Sequence, residues 1–180
     1  MLEIETPTVE LWDESINEFV DLKSRKLQLE HSLVSLSKWE SKWCKPFLTN
    51  DERTEEEMID YIKCMTITQN VDPQIYKYLS EENYKAIKEY INAPMTATTF
   101  NEDKNGKKGR EIITSEIIYY WMIAMNIPSE YQKWHLNRLL TLVKVCSIKN
   151  DKPKKQSKKD IASRNAALNA ARRKQLNSRG

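Results

Sequence analysis

Few residues in this chain have the types and spacing that metal binding requires. The 180 residues include two histidines, His31 and His135, which lie far apart in the sequence. The three cysteines form no Cys-x-x-Cys pair, and none stands at ligand spacing from a histidine. Protein zinc sites are built from clustered ligands at set spacings. We therefore expect no bound metal, and we interpret both histidines as polar or packed structural residues.

Nucleophilic and phosphate-binding chemistry have equally little support in the sequence. There is no Gly-x-Ser-x-Gly elbow, and no cysteine stands in an activating context. The run Gly106-Lys107-Lys108-Gly109 lacks the Gly-Lys-Ser/Thr that binds a nucleotide, so we interpret it as a solvated loop. The acids Glu55–Glu57 begin a predicted helix, where the macrodipole favours them without catalysis. We expect a protein that is not an enzyme and binds no cofactor.

Charge is unevenly distributed along the chain. The net charge is +3, but residues 151–180 carry +8, which leaves −5 for residues 1–150. Five Trp, eight Tyr and a hydrophobic fraction of 39% are enough for a packed core, and only three Gly favour helices over loops. We predict a globular domain over residues 1–150 and a basic arm over residues 151–180, flexible when free and helical when docked.

The chain has no features of a membrane or secreted protein. No run approaches the ~20 apolar residues of a membrane span, and the acidic N-terminus does not resemble a signal peptide. An odd number of unpaired cysteines fits a reducing compartment. We expect a cytoplasmic protein without membrane contact.

The periodicity predicts an α+β fold in which helices predominate. Apolar and polar residues alternate in the first thirty positions, which predicts two or three short antiparallel strands. Two β-branched runs, residues 96–100 and 110–113, flank Asn105-Gly106 and predict one internal β-hairpin packed with the helical bundle. The arm after residue 150 is rich in alanine, which favours a helix.

Helical spacing and capping signals place the main helices. Thr54 and Glu57 form a predicted capping box, and Ser80 opens a further helix. The segment from Glu116 to Met125 is apolar nearly all round, which predicts a central, buried helix. Pro128 should end it and begin another helix that runs from Tyr131 past Val145.

Two features of the sequence suggest contact with another macromolecule. Leu36, Trp39 and Trp43 recur on one helix face; we favour a core role, with an open groove for an amphipathic client helix as the alternative. The basic arm fits phosphate binding, docking on an acidic partner, or a solubilising tail. The arm has no aromatic residue, which argues against stacking on single-stranded bases. The candidate partner-binding residues are Leu36, Trp39, Trp43, Lys154, Lys155, Lys158, Lys159, Arg164, Leu168, Arg172 and Arg173.

Three segments resemble those of a known protein family. These are Leu29–Trp43 (LEHSLVSLSKWESKW), Thr114–Met122 (TSEIIYYWM) and Trp134–Leu140 (WHLNRLL). They resemble stretches of the tail assembly chaperones of long-tailed bacteriophages, and the resemblance extends over nearly the whole chain. These segments are family signatures rather than mechanistic motifs.

The resemblance implies a non-enzymatic role in tail assembly. Such chaperones bind the long, aggregation-prone tape measure protein before the tail tube polymerises around it, with several copies on one client. The implied partners are the tape measure protein, the tail tube protein and further copies of the chain, in the host bacterial cytoplasm and not in the mature virion. Two alternatives remain: a nucleic-acid-binding protein that uses the basic arm, and a structural neck or connector subunit of the virion.

Overall fold

The computed structural model describes residues 1–14, 17–49, 53–100, 112–150 and 158–176 of the chain. These residues form two compact units, Met1–Cys146 and Ser147–Gly180. The fold is α+β and mostly helical, as predicted. The strands are β1 (Leu2–Glu5), β2 (Val9–Asp13), β3 (Glu18–Leu22) and β4 (Lys26–Leu29). The helices are α1 (Leu33–Trp43), α2 (Glu55–Met65), α3 (Glu81–Asn92), α4 (Ser115–Ala124), α5 (Leu136–Asn150) and α6 (Lys158–Leu176), with 3-10 helices at Pro73–Lys77 and Ser129–Lys133.

The four strands form two separate antiparallel pairs near the N-terminus. Strand β1 pairs with β4, and β2 pairs with β3. The alternation of the first pair is evident in its burial, because Ile4, Leu27 and Leu29 are buried in the core. The Asn83 side chain joins this pair to α3 by donating to the Glu5 carbonyl over 3.1 Å.

The helices begin where local side-chain signals predict them. Ser32 caps α1, Ser80 caps α3, and Thr54 and Glu57 form a reciprocal capping box on α2. Such caps satisfy amide groups that have no partner within the helix. Helices α1 and α2 then pack on each other and bury Trp39 and Tyr61 completely.

A buried carboxylate joins α1 to the start of α4. The Glu40 Oε1 atom accepts from the Phe47 amide over 2.8 Å, and its Oε2 atom accepts from the Ser115 amide over 2.7 Å. Thr114, the N-cap residue of α4, makes no side-chain capping bond. Glu40 therefore caps α4 from another helix, where its negative charge also favours the macrodipole.

The segments around the predicted internal hairpin differ from that prediction. Thr96–Phe100 and Ile112–Ile113 contain no strand, while residues 101–111, including Asn105-Gly106 and Gly106–Gly109, lie outside the described residues. The Thr98 amide instead donates to the Thr96 hydroxyl over 3.1 Å. Such local side-chain bonds compete with strand pairing, which explains the absence of a strand at residues 96–100.

Two further predictions about helices were wrong. Helix α4 is not buried all round: Ile118 and Met122 face the core, whereas Tyr120 and Ile123 are exposed. The helix predicted from Tyr131 is also interrupted, because Pro128 starts a short 3-10 helix that ends before Trp134. Tyr131 and Trp134 stack there at 4.0 Å between ring centroids, and α5 begins only at Leu136.

Candidate partner-binding surfaces

The aromatic face of α1 belongs to the core and not to a client groove. Leu36 and Trp39 are fully buried, so neither can contact a partner in this fold. The Trp39 indole N–H donates to the Glu57 carbonyl over 2.9 Å, and its ring meets Phe47 and Tyr61 edge-on. Helical spacing correctly placed these residues on one face, but α2 covers that face.

Trp43, the third candidate on α1, is half-buried at the edge of this cluster. Its indole N–H donates to the Asp60 carboxylate over 2.9 Å, and Lys42 pairs with the same carboxylate. The Lys42 and Lys45 ammonium groups also lie 5.8 and 5.9 Å from the Trp43 ring centroid. These neighbours hold the indole in place and leave it at most a marginal part of any partner surface.

The structure brings the two histidines together, although they are far apart in the sequence. Their ring centroids are 5.0 Å apart. The His31 Nδ1 atom lies 2.6 Å from the Tyr61 hydroxyl. The Asn137 amide donates to His135 Nδ1 over 3.3 Å, so the His135 Nε2–H must donate to the Tyr90 carbonyl, 2.9 Å away. The pair is a packed structural cluster that links α2, α3 and α5.

Burial keeps both imidazoles neutral. Desolvation, followed by the charges of His135 and Arg53, lowers the pKa of His31 to about 3. Burial also lowers the pKa of His135. Among the described residues, no group of three or more His, Cys, Asp or Glu side chains is arranged to hold a metal ion.

The outer side of α4 is an exposed apolar surface that the sequence pattern did not reveal. Tyr120 and Ile123 are 67% and 76% exposed. At about 100° per residue they share this side with Ala124 and the half-buried Ile117. Ile112, just before the helix, is exposed as well. We call Ile117, Tyr120, Ile123 and Ala124 the α4 outer face.

The β2–β3 pair is a second exposed apolar surface. Trp12 and Phe19 lie directly opposite each other, with their rings edge-to-face at 5.0 Å between centroids. They are 49% and 68% exposed, and Val20 is exposed as well. Isolated two-stranded ribbons are marginally stable in water, so an exposed aromatic pair on such a ribbon is a candidate contact site.

The basic candidates of the arm fall into three groups. Arg164, Leu168, Arg172 and Arg173 lie on α6 with exposed side chains. Lys158 and Lys159 belong to the first turn of α6, but their side chains are not described. Lys154 and Lys155 lie outside the described residues. The structure thus places six of the eight arm candidates on α6, four of them with exposed side chains.

Comparisons with known proteins identify no family for this chain. No model of a known protein family, no curated protein and no solved structure matches it. None of the helices in the described part of the chain has the length and apolar character needed to cross a membrane.

Proposed function

We propose that the chain is a phage tail assembly chaperone that binds the tape measure protein before the tail tube polymerises. It acts by binding and not by catalysis. The observation that supports this role best is the α4 outer face, an exposed apolar helix surface beside a well-packed core. Its segment, Thr114–Met122, is also one of the three that resemble the chaperone family.

The α4 outer face suits an amphipathic client helix. Apolar helical faces recognise one another through anchors at helical spacing, and Tyr120 and Ile123 have that spacing. Burying one large apolar side chain contributes about 1.5–3 kcal/mol. Because Tyr120 and Ile123 are already partly buried, covering them would favour the complex by roughly 2–4 kcal/mol before the costs of association. A shielded client helix could not aggregate through the same face.

The setting of this role is also part of the proposal. The protein acts in the cytoplasm of the infected bacterium and leaves the client as tail tube subunits replace it. It is then absent from the mature virion, which distinguishes it from the neck or connector subunit considered above. Mass spectrometry of purified virions separates the two, since a structural subunit would be present in stoichiometric amount.

Nucleic-acid binding is the second candidate, and α6 favours it. The helix carries six Lys or Arg against one Asp, and those side chains that are described are exposed. Such a helix attracts phosphates through counterion release, but it offers no aromatic ring for bases. Near physiological salt, where the Debye length is ~8 Å, we expect little DNA or RNA binding. Micromolar binding there, lost on deletion of residues 151–180, would favour the second candidate.

Co-expression with a tape measure fragment tests the chaperone proposal. A fragment that is insoluble alone should remain soluble with the wild-type chain, but not with Tyr120→Ser/Ile123→Ser. The matched control is Ile148→Ser, which removes an exposed isoleucine from α5. Both variants should fold, because they replace exposed side chains. A client that the double variant keeps soluble as well as wild type does would contradict the proposed surface.

A further inference from the structure

The β2–β3 ribbon carries an acidic pair that opposes its own formation. In its antiparallel register, Glu10 lies opposite Asp21. Like charges directly across a ribbon are destabilising. From Val9 to Leu22 the sequence contains five acids and no Lys or Arg. A basic partner placed on the ribbon would relieve this repulsion.

The acids and the aromatic pair of the ribbon form an ordered row. Because side chains alternate between faces, Glu10 and Asp21 share a face with Trp12 and Phe19. Two residues along a strand span about 6.8 Å. The ribbon therefore presents the acidic pair about 7 Å from the aromatic pair, and Glu14 is an exposed residue of the turn that follows β2.

Helix α6 has the complementary row. Arg164, Leu168, Arg172 and Leu176 are each four residues apart, so they follow one another along one side of the helix. Four residues rise about 6 Å, which is close to the spacing on the ribbon. Leu168 is 47% exposed and Leu176 is exposed as well. From Lys158 to Leu176 the sequence carries a net charge of +5, against −5 on the ribbon.

We propose that α6 of one copy docks on the β2–β3 ribbon of a second copy of this chain. Leu168 packs on Trp12 and Phe19, and an arginine one turn away in the same helix row pairs with Glu10 and Asp21. Carboxylates suit arginine because the guanidinium can donate two parallel hydrogen bonds. Both surfaces are exposed in the single chain, so each is free to bind another copy.

The contact is heterologous, which determines the kind of assembly. Each copy offers a ribbon at one site and a helix at another, so association continues from copy to copy as a row or closed ring. The inference stands on the ribbon and α6 alone and does not depend on the proposed client.

Sedimentation velocity on the full chain tests this docking. We expect the wild-type protein to self-associate at concentrations up to about 100 μM, as proteins with a small, transient interface do. High salt should dissociate the complex, because it screens the charge pairs. Trp12→Ser/Phe19→Ser removes the aromatic pair of the ribbon, and Arg164→Gln/Arg172→Gln removes the two arginines of the α6 row. Each double variant should raise the dissociation constant at least about tenfold, because a tenfold change corresponds to only about 1.4 kcal/mol of binding free energy. The matched control, Arg173→Gln/Lys174→Gln, loses the same charge off the row and should associate normally.

Mixing the two row variants gives the sharpest outcome. Each lacks one half of the contact, so each alone should be monomeric. Together they should form a 1:1 dimer and nothing larger, because one supplies the helix and the other the ribbon. A charge-reversed variant, Glu10→Lys/Asp21→Lys/Arg164→Glu/Arg172→Glu, should self-associate, because each charge pair is kept with its signs exchanged. This variant tests the docking even if Trp12→Ser/Phe19→Ser does not fold. Any one of three results would overturn the docking. The wild-type protein could be monomeric at about 100 μM, the two variants could form no dimer when mixed, or Arg173→Gln/Lys174→Gln could weaken self-association as much as Arg164→Gln/Arg172→Gln does.

Discussion

Removing the Glu40 carboxylate should strongly destabilise the fold. Its two oxygens accept from the amides of Phe47 and Ser115, and the side chain is buried. Glu40→Ala leaves both buried amides without their acceptor. A buried amide without its partner costs about 1–3 kcal/mol, so the expected loss is roughly 2–6 kcal/mol. That is a large part of the ~5–15 kcal/mol that holds a typical domain folded.

Glu40→Gln separates the charge from the hydrogen bonds. The amide keeps one acceptor oxygen, so one N–H remains paired while the other faces an NH₂ donor. The expected loss is about half that of Glu40→Ala. Urea unfolding followed by tryptophan fluorescence measures both, with m typically about 1–3 kcal/mol per molar urea. The matched control is Glu89→Ala, which removes an exposed carboxylate from α3 and should change stability by less than about 0.5 kcal/mol.

The result that would refute this reasoning is specific. If Glu40→Ala unfolds within about 0.5 kcal/mol of wild type, the carboxylate does not cap α4 in solution. A Glu40→Gln variant as unstable as Glu40→Ala would show that charge at the α4 N-terminus matters more than the two bonds.

Two further predictions concern stability. Thr54→Ala removes the cap of α2 and should cost about 1 kcal/mol in urea unfolding, whereas Thr114→Ala should be nearly neutral because Thr114 makes no side-chain capping bond. Because the His31 pKa is about 3 when folded and ~6.5 when unfolded, the contribution of neutral His31 to stability is complete above pH 6.5 and is lost as the pH falls towards 3, by roughly 2 kcal/mol at pH 5. The pH dependence of unfolding measures this, and His31→Gln should flatten it; an unchanged slope would show that His31 is not its source.

Local capping signals predicted the starts of α2 and α3. The capping box at Thr54 depends on residues three positions apart, so it forms wherever the chain turns into a helix. The Ser32–Ser35 box on α1 was not predicted. Alternation predicted two or three short strands, and the described residues form four. The pairing of β1 with β4 is not local, and alternation cannot reveal it.

The exposed surfaces were harder to predict, because the same apolar pattern occurs on buried helices and on helices with an exposed apolar side. Apolar residues on every side of a helix indicate burial, yet on α4 the side with Tyr120 and Ile123 remains exposed. The reverse holds on α1, where the proposed groove at Trp39 is filled by α2. Periodicity shows which side chains share a face but not what covers that face. The contact between His31 and His135 likewise depends on tertiary packing alone.

The most direct test of the proposed function is the affinity of the purified chain for a labelled helical fragment of the tape measure protein, measured by fluorescence anisotropy. Burial of Tyr120 and Ile123 predicts that the Tyr120→Ser/Ile123→Ser variant binds at least about thirtyfold more weakly, from roughly 2 kcal/mol of lost burial. Ile148→Ser should bind like wild type. Equal affinities for all three proteins, or no binding by wild type, would contradict a client-binding role for the α4 outer face.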